Sequence, residues 1–371
     1  MPRPRYLEPT IRADLGRKMV FVSGPRQVGK TTLALRLARG RAGYLNWDIA
    51  EHRERLLRRE LPARRFWVFD EIHKYRGWRD FLKGLWDGRR RGQRILVTGS
   101  GRLDFYRFGG DSLQGRYHHH RLHPFSVREL GIERVAELRD LLRLGPFPEQ
   151  ILGRGVVEAR RWSREYRTRL LREDLTSLER VDDIGRLEEL VLRLPDLVGS
   201  PLSINALRED LQVSHRTVSR WIQVLERLYA VFRVPPFGAA RLRAVKKEQK
   251  HYHFDWTPIE GAGPRFENLV ASHLLKWAHF LQDAEGRDVE LRYFRDVDGR
   301  EVDFVVTERR RPVLAVECKR SAGALDPSLR YFKERFASCE AWQIHLEGDR
   351  DAVTPEGIRI APATALLGRL A

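Results

Sequence analysis

Over the first 130 or so residues, short apolar runs alternate with amphipathic stretches. Lys18-Met19-Val20-Phe21-Val22, Tyr44-Leu45, Phe66-Trp67-Val68-Phe69 and Ile95-Leu96-Val97 each run straight into polar residues. Runs of this kind read as strands buried on both faces. Between them, 6–17, 32–39, 51–59 and 78–89 carry helical spacing with a charged outer face. Strands alternating with helices predict a parallel α/β sheet.

The pattern changes after Gly145-Pro146-Phe147-Pro148-Glu149, a turn-rich junction. Val156 to Leu178 and Leu187 to Leu194 are helical and rich in arginine. Leu202 to Leu211 and His215 to Leu228 then form two amphipathic helices joined by Gln212-Val213-Ser214, a helix-turn-helix spacing. Val231–Val234 and His251–Phe254 read as the two strands of a wing, with the basic run Arg241 to Lys247 between them. A helix from Phe266 to about Leu281 follows, then strands at 290–295, 301–306 and 313–319, a helix near Tyr331 and a strand at 341–345. The expected organisation is an α/β domain over 1–150, a helical connector over 151–200, a winged helix over 201–256 and a second α/β domain over 257–371.

Composition narrows the class. In 371 residues, 42% are hydrophobic and 32% charged, which suits globular rather than disordered chain. No apolar run reaches the length of a membrane span, and Met1-Pro2-Arg3-Pro4-Arg5 has no apolar core behind it, so neither a membrane role nor a secretory signal is expected. Cys318 and Cys339 are the only cysteines, which fits a reducing cytoplasm. The formal charge of +18 favours a polyanionic partner, nucleic acid first.

The chemistry begins at Gly24-Pro25-Arg26-Gln27-Val28-Gly29-Lys30-Thr31-Thr32, a G-x-x-x-x-G-K-[ST] loop set between a strand and a helix. The glycines let backbone approach phosphate, and the N–H groups at the helix start face the anion. Lys30 would reach the β- and γ-phosphates of ATP, and the Thr31 hydroxyl would ligate Mg²⁺. Downstream, Phe69-Asp70-Glu71 ends a buried strand in two carboxylates. Asp70 suits the Mg²⁺ shell, and Glu71 suits orienting or deprotonating the attacking water. Thr98 or Ser100, ending another strand, would lie beside Asp70 if the two strands are neighbours and could sense the γ-phosphate. His118, His119 and His120 are consecutive, so they cannot all face one metal, and they read as structural.

The phosphate loop, Phe69-Asp70-Glu71-Ile72, Leu96-Val97-Thr98-Gly99-Ser100 and Gly115-Arg116 followed by Leu122-His123-Pro124-Phe125-Ser126-Val127-Arg128-Glu129-Leu130 together resemble one family. It is the prokaryotic AAA-type (AAA+) P-loop ATPases that carry a C-terminal domain of uncharacterised function. His73 departs from the polar amide expected after Asp-Glu-Ile. The resemblance implies a homo-oligomer, a ring being one form, in which a neighbouring subunit completes the site with an arginine. Arg116 and Arg121 are the candidates.

In the last segment, Asp303 and Glu317-Cys318-Lys319 fall on successive strands. Glu317 and Lys319 alternate onto one face, and Asp303 can meet them. This set resembles the PD-(D/E)XK nuclease site of restriction-endonuclease-like folds. That implies Mg²⁺ or Mn²⁺ held by Asp303 and Glu317, Lys319 positioning the water, and Glu267 on the preceding helix as a further ligand. Cys318 alternates away and is expected in the core. For the helix-turn-helix, His215, Arg216, Arg220, Lys246 and Lys247 are the expected DNA contacts. The expectation is an Mg²⁺-dependent, ATP-hydrolysing oligomer that binds duplex DNA and processes it. Two alternatives stand beside it: an RNA partner, and an ATP-driven switch or scaffold whose nuclease-like domain only binds nucleic acid or protein.

Overall fold

The computed structural model describes residues 3–100, 113–153, 155–171, 183–238 and 249–371. The chain divides into two compact units, Met1–Pro124 and Phe125–Ala371.

The first unit is built on a five-stranded parallel sheet. Its strands are β1 (Met19–Ser23), β2 (Tyr44–Asn46), β3 (Phe66–Asp70), β4 (Arg94–Thr98) and β5 (Tyr117–Arg121), in the order β2-β3-β4-β1-β5. Around it lie α1 (Glu8–Asp14), α2 (Lys30–Ala38), α3 (Ala50–Leu57) and α4 (Trp78–Asp87). Every residue of β1 is buried, as a continuous apolar run in a parallel sheet requires. One face packs Met19, Phe21, Leu45, Phe69, Ile95 and Val97 against Trp78, Leu82 and Trp86 of α4. The register aligns Asn46 with Asp70, Asp70 with Thr98, Val22 with Thr98 and Ser23 with Arg121. The polar residues that close the apolar runs therefore form one row along the carboxyl edge of the sheet, where open α/β sheets bind ligands.

The second unit starts with short helices, α5 (Val127–Leu130), α6 (Val135–Leu144) and α7 (Pro148–Ile151), followed by α8 (Val156–Arg169) and α9 (Ile184–Arg193). Next come α10 (Ile204–Leu211) and α11 (His215–Arg227), capped by the side chains of Ser203 and Ser214. Strands β6 (Val231–Val234) and β7 (Lys250–His253) pair as an antiparallel ribbon. The 24-residue helix α12 (Ala262–Glu285) leads into a six-stranded mixed sheet of order β12-β13-β11-β10-β9-β8. Its strands are β8 (Val289–Arg295), β9 (Glu301–Glu308), β10 (Arg311–Ser321), β11 (Glu340–Glu347), β12 (Ala352–Val353) and β13 (Ile358–Pro362). β8, β9 and β10 form an antiparallel meander, and α13 (Pro327–Arg335) carries the chain over to β11, parallel to β10. The chain ends in α14 (Ala363–Leu367).

The Leu122-to-Leu130 motif spans the boundary between the units. In the second, Lys276 of α12 is buried with its ammonium on Ser126 Oγ (3.0 Å) and on Glu129, and His273 Nε2 accepts from the Val127 N–H. Among the described residues, no helix is long and apolar enough to cross a membrane.

Candidate nucleotide site and a carboxylate cluster

The phosphate loop leaves β1 at Gly24, whose φ of 143° only glycine adopts with ease; a Cβ there would stand 2.3 Å from the Leu122 carbonyl oxygen. Gln27 (φ 58°) and Gly29 (φ 96°) make the other left-handed turns, and Gly29 caps α2. Val28 is fully buried, so among loop residues it contributes backbone rather than side chain. Pro25 offers its carbonyl inward, Arg26 is half-buried, and Gln27 and Thr32 are exposed. Lys30 is turned into its own loop, donating to the carbonyls of Gly24 (3.0 Å) and Pro25 (2.6 Å).

Asp70 is buried at the end of β3 and accepts three hydroxyl hydrogen bonds. Thr31 and Tyr44 both donate to Oδ2 at 2.7 Å, and Thr98 donates to Oδ1 at 2.6 Å. Of the two residues expected beside Asp70, the hydroxyl on it is that of Thr98; Ser100 lies two positions further on, buried. Burial first, then the charge of Asp70, pushes the Tyr44 phenol well above its ordinary range, so it stays a neutral donor. Asn46 Nδ2 donates to the same phenol oxygen (2.9 Å). Thr31 and Asp70 offer adjacent hard oxygens, a donor set that fits Mg²⁺, which keeps most of its waters and takes one or two carboxylates.

Glu71 follows in a left-handed conformation (φ 55°). Its carboxylate lies 3.4 Å from Lys74, which also pairs with Asp48 at 2.5 Å, and 3.6 Å from buried His73.

Two supports escaped the reading from sequence. Arg5 is buried beneath the loop and donates to the Val28 carbonyl (2.7 Å) and the His123 carbonyl (2.5 Å). Tyr44 gave one signal: strand alternation places it on the same face as Asn46. Nothing local marks Arg5 among the neighbouring arginines. Arg116, expected in the nucleotide set, precedes β5 at the opposite strand ends and clamps Asp87 (2.9 and 3.2 Å), so it does not join the site of its own chain. Arg121 ends β5, paired with Ser23 on the nucleotide edge. His120 is fully buried against Asp14 (2.7 Å), a structural role.

In the second unit, His215, Arg216 and Arg220 are exposed along α11. Lys246 and Lys247 lie outside the described residues. Asp303, Glu317, Lys319 and Glu267 do converge. Glu317 Oε2 accepts from the Asp303 N–H (3.3 Å), Asp303 Oδ2 from the Cys318 N–H (2.9 Å), and Lys319 bridges Glu317 and Asp326 at 2.8 Å each. Cys318 is half-buried as a residue, and burial first, then the Asp303 charge, pushes its thiol well above the ordinary range.

The space between these acids is not free. Lys250 of β7, 1% exposed, sets its ammonium 2.5 Å from Glu301, 3.4 Å from Glu267 and 3.8 Å from Asp303. Tyr252, two residues on and facing the same way, donates to Glu267 at 2.8 Å. Burial, then the Asp303 charge, raises Glu267 to about 7 and Glu317 to about 8. Burial works against the Lys250 charge, but Glu267, Asp303 and Glu301 outweigh it and hold the lysine protonated. Among the described residues no three His, Cys, Asp or Glu side chains form a metal-holding group. The side chains expected to hold a divalent ion are thus engaged by the chain's own cations, Lys250 beside Glu267 and Asp303, and Lys319 on Glu317.

Residues 16–131 match the family model described as an AAA domain. Residues 135–257 and 262–366 match two families described only as domains of unknown function. No curated protein sequence matches the chain. Among solved structures, the Walker-type ATPase of Pyrococcus abyssi is 15% identical, with 70% of this chain and 97% of that one covered and a TM-score of 0.45. A signal-transduction ATPase with a tetratricopeptide repeat sensor, from Pyrococcus horikoshii, is 12% identical, with 76% and 49% covered and a TM-score of 0.23. With the phosphate loop, Asp70 and the parallel sheet in place, the first unit is a P-loop ATPase domain.

Proposed function

We propose that this chain is an ATP-driven, DNA-binding homo-oligomer whose C-terminal domain holds its partner rather than cuts it. The observation that carries the ATPase half is Asp70, held by Thr31, Tyr44 and Thr98 at the mouth of the phosphate loop. ATP would draw the Lys30 ammonium from the Gly24 and Pro25 carbonyls to its phosphates. Thr31 and Asp70 would hold Mg²⁺, which neutralises charge developing on the phosphoryl oxygens. Glu71 would orient the attacking water, with Lys74 and His73 fixing its carboxylate. The oligomer would complete the site with an arginine from a neighbour. Arg116, placed away from its own nucleotide, is the better placed of the two candidates.

The DNA half rests on α10, α11 and the β6–β7 ribbon, an arrangement that reads as a winged helix, with His215, Arg216 and Arg220 exposed on the second helix. The charge of +18 points the same way. The last sheet, with α12 before it, reads as a nuclease-like fold. Lys250 among its acids favours binding over cutting.

The test compares duplex DNA and structured RNA at matched salt, with ATP turnover measured in parallel. Arg216→Ala and Arg220→Ala should each lower the salt slope of duplex binding by about 1. Lys30→Ala should abolish ATP turnover and leave binding intact. Tighter binding to RNA would transfer the reading to RNA, and no binding of either at low salt would refute it.

A further inference from the structure

The cluster Glu267, Glu301, Asp303 and Glu317 contains more acid than one buried lysine can balance, and a cation is seated in it all the same. That cation is the Lys250 ammonium, with three carboxylates within 4.0 Å. It does not arrive on a flexible loop. Lys250 opens β7, its backbone pairs with Val234 of β6 and bridges Pro201, and the preceding Gln249 carbonyl accepts from the Leu202 N–H. Tyr252, one alternation further, fixes Glu267 from the same strand, while His251 on the other face holds the Leu194 carbonyl at 2.8 Å.

We propose that Lys250 is a tethered cation standing where a divalent metal would sit, so that the C-terminal fold is complete without metal and takes up divalent ions only when that ammonium is removed. The inference rests on reading this fold as nuclease-like. Its test measures metal and not nucleic acid, so it and the DNA reading can fail separately. Lys250→Met keeps most of the side-chain volume and removes the charge. The acids that faced the ammonium then repel one another, and a divalent ion can take its place among them.

The experiment uses the full chain carrying Asp70→Asn, which silences the nucleotide-site metal, with no nucleotide present. Mn²⁺ binding is followed by electron paramagnetic resonance, and thermal unfolding by circular dichroism. In this background, no Mn²⁺ should bind through Asp303 below ~1 mM, the weak end of protein sites for hard cations. Adding Lys250→Met should lower Tm by on the order of 10 °C. It should also create one Mn²⁺ site, restore Tm when Mn²⁺ is added, and lose both gains with Asp303→Asn. Lys250→Gln serves if the methionine variant does not fold. Binding by the Asp70→Asn chain that disappears with Asp303→Asn would overturn the proposal without any change at 250. A folded Lys250 variant that gains no Mn²⁺ site would overturn it equally.

Discussion

Tyr44→Phe removes one oxygen and leaves the ring, which is almost fully buried, in place. The lost hydroxyl donates to Asp70 Oδ2 at 2.7 Å and accepts from Asn46 Nδ2 at 2.9 Å. Asp70 keeps Thr31 on the same oxygen and Thr98 on the other. A hydrogen bond to a charged group contributes about 1.5–3 kcal/mol. If that loss falls on the native fold, Tm drops by roughly 5–10 °C. If it falls on the aim of Asp70 during turnover, kcat drops about 10- to 100-fold, since each ~1.4 kcal/mol is tenfold. Tyr44 reaches the nucleotide site through Asp70, whose Oδ2 it shares with Thr31, so ATP affinity without Mg²⁺ should stay within a factor of about 3, a difference of ~0.7 kcal/mol. The assay is steady-state ATP turnover against Mg²⁺ concentration, with nucleotide binding measured in chelator. The phenol is held neutral by burial and by Asp70, so its contribution should not vary between pH 6 and 9. A folded Tyr44→Phe protein with wild-type kcat, Mg²⁺ dependence and Tm would refute the positioning role.

Two further outcomes follow from the geometry. Gly24→Ala places a methyl 2.3 Å from the Leu122 carbonyl oxygen at a φ of 143°, so the loop must shift and ATP binding should fall at least tenfold; wild-type affinity by calorimetry would contradict this. In the second unit, burial lowers His251 to about 4. The unfolded chain takes up that proton below ~6.5, so the native state loses stability as pH falls from 6.5 towards 4, by about 2 kcal/mol at pH 5. Between pH 7.5 and 5, wild type should lose about 2 kcal/mol that His251→Gln does not lose, measured by urea unfolding. Raised acids such as Glu267 act in the opposite direction but are common to both proteins, and equal losses would refute the assignment.

Where backbone pattern alone determines structure, the chain could be read directly. Parallel strands need continuous apolar runs, and Met19–Val22, Phe66–Phe69 and Ile95–Val97 supply them. The phosphate loop is legible because Gly24, Gly29, Lys30 and Thr31 act at fixed spacing within one stretch of chain. Asp70 is legible for the same reason, as the polar end of an apolar run. The convergence of Asp303, Glu317 and Lys319 followed from strand alternation across a single hairpin.

What the linear pattern could not reveal is what reaches these sites from elsewhere. Arg5 lies 118 positions from His123 and holds its carbonyl. Tyr44 meets Asp70 only because β2 is the neighbour of β3, and the choice between Thr98 and Ser100 depended on strand register. Lys250 was one basic residue beside a basic run. Only the pairing of β7 with β6, and its packing beside α12 and β9, brought its ammonium among the acids expected to hold a metal. Pattern along a chain records which faces are buried. Which charge is buried against which other charge is decided by long-range pairing, and that is where the function of the C-terminal domain turns.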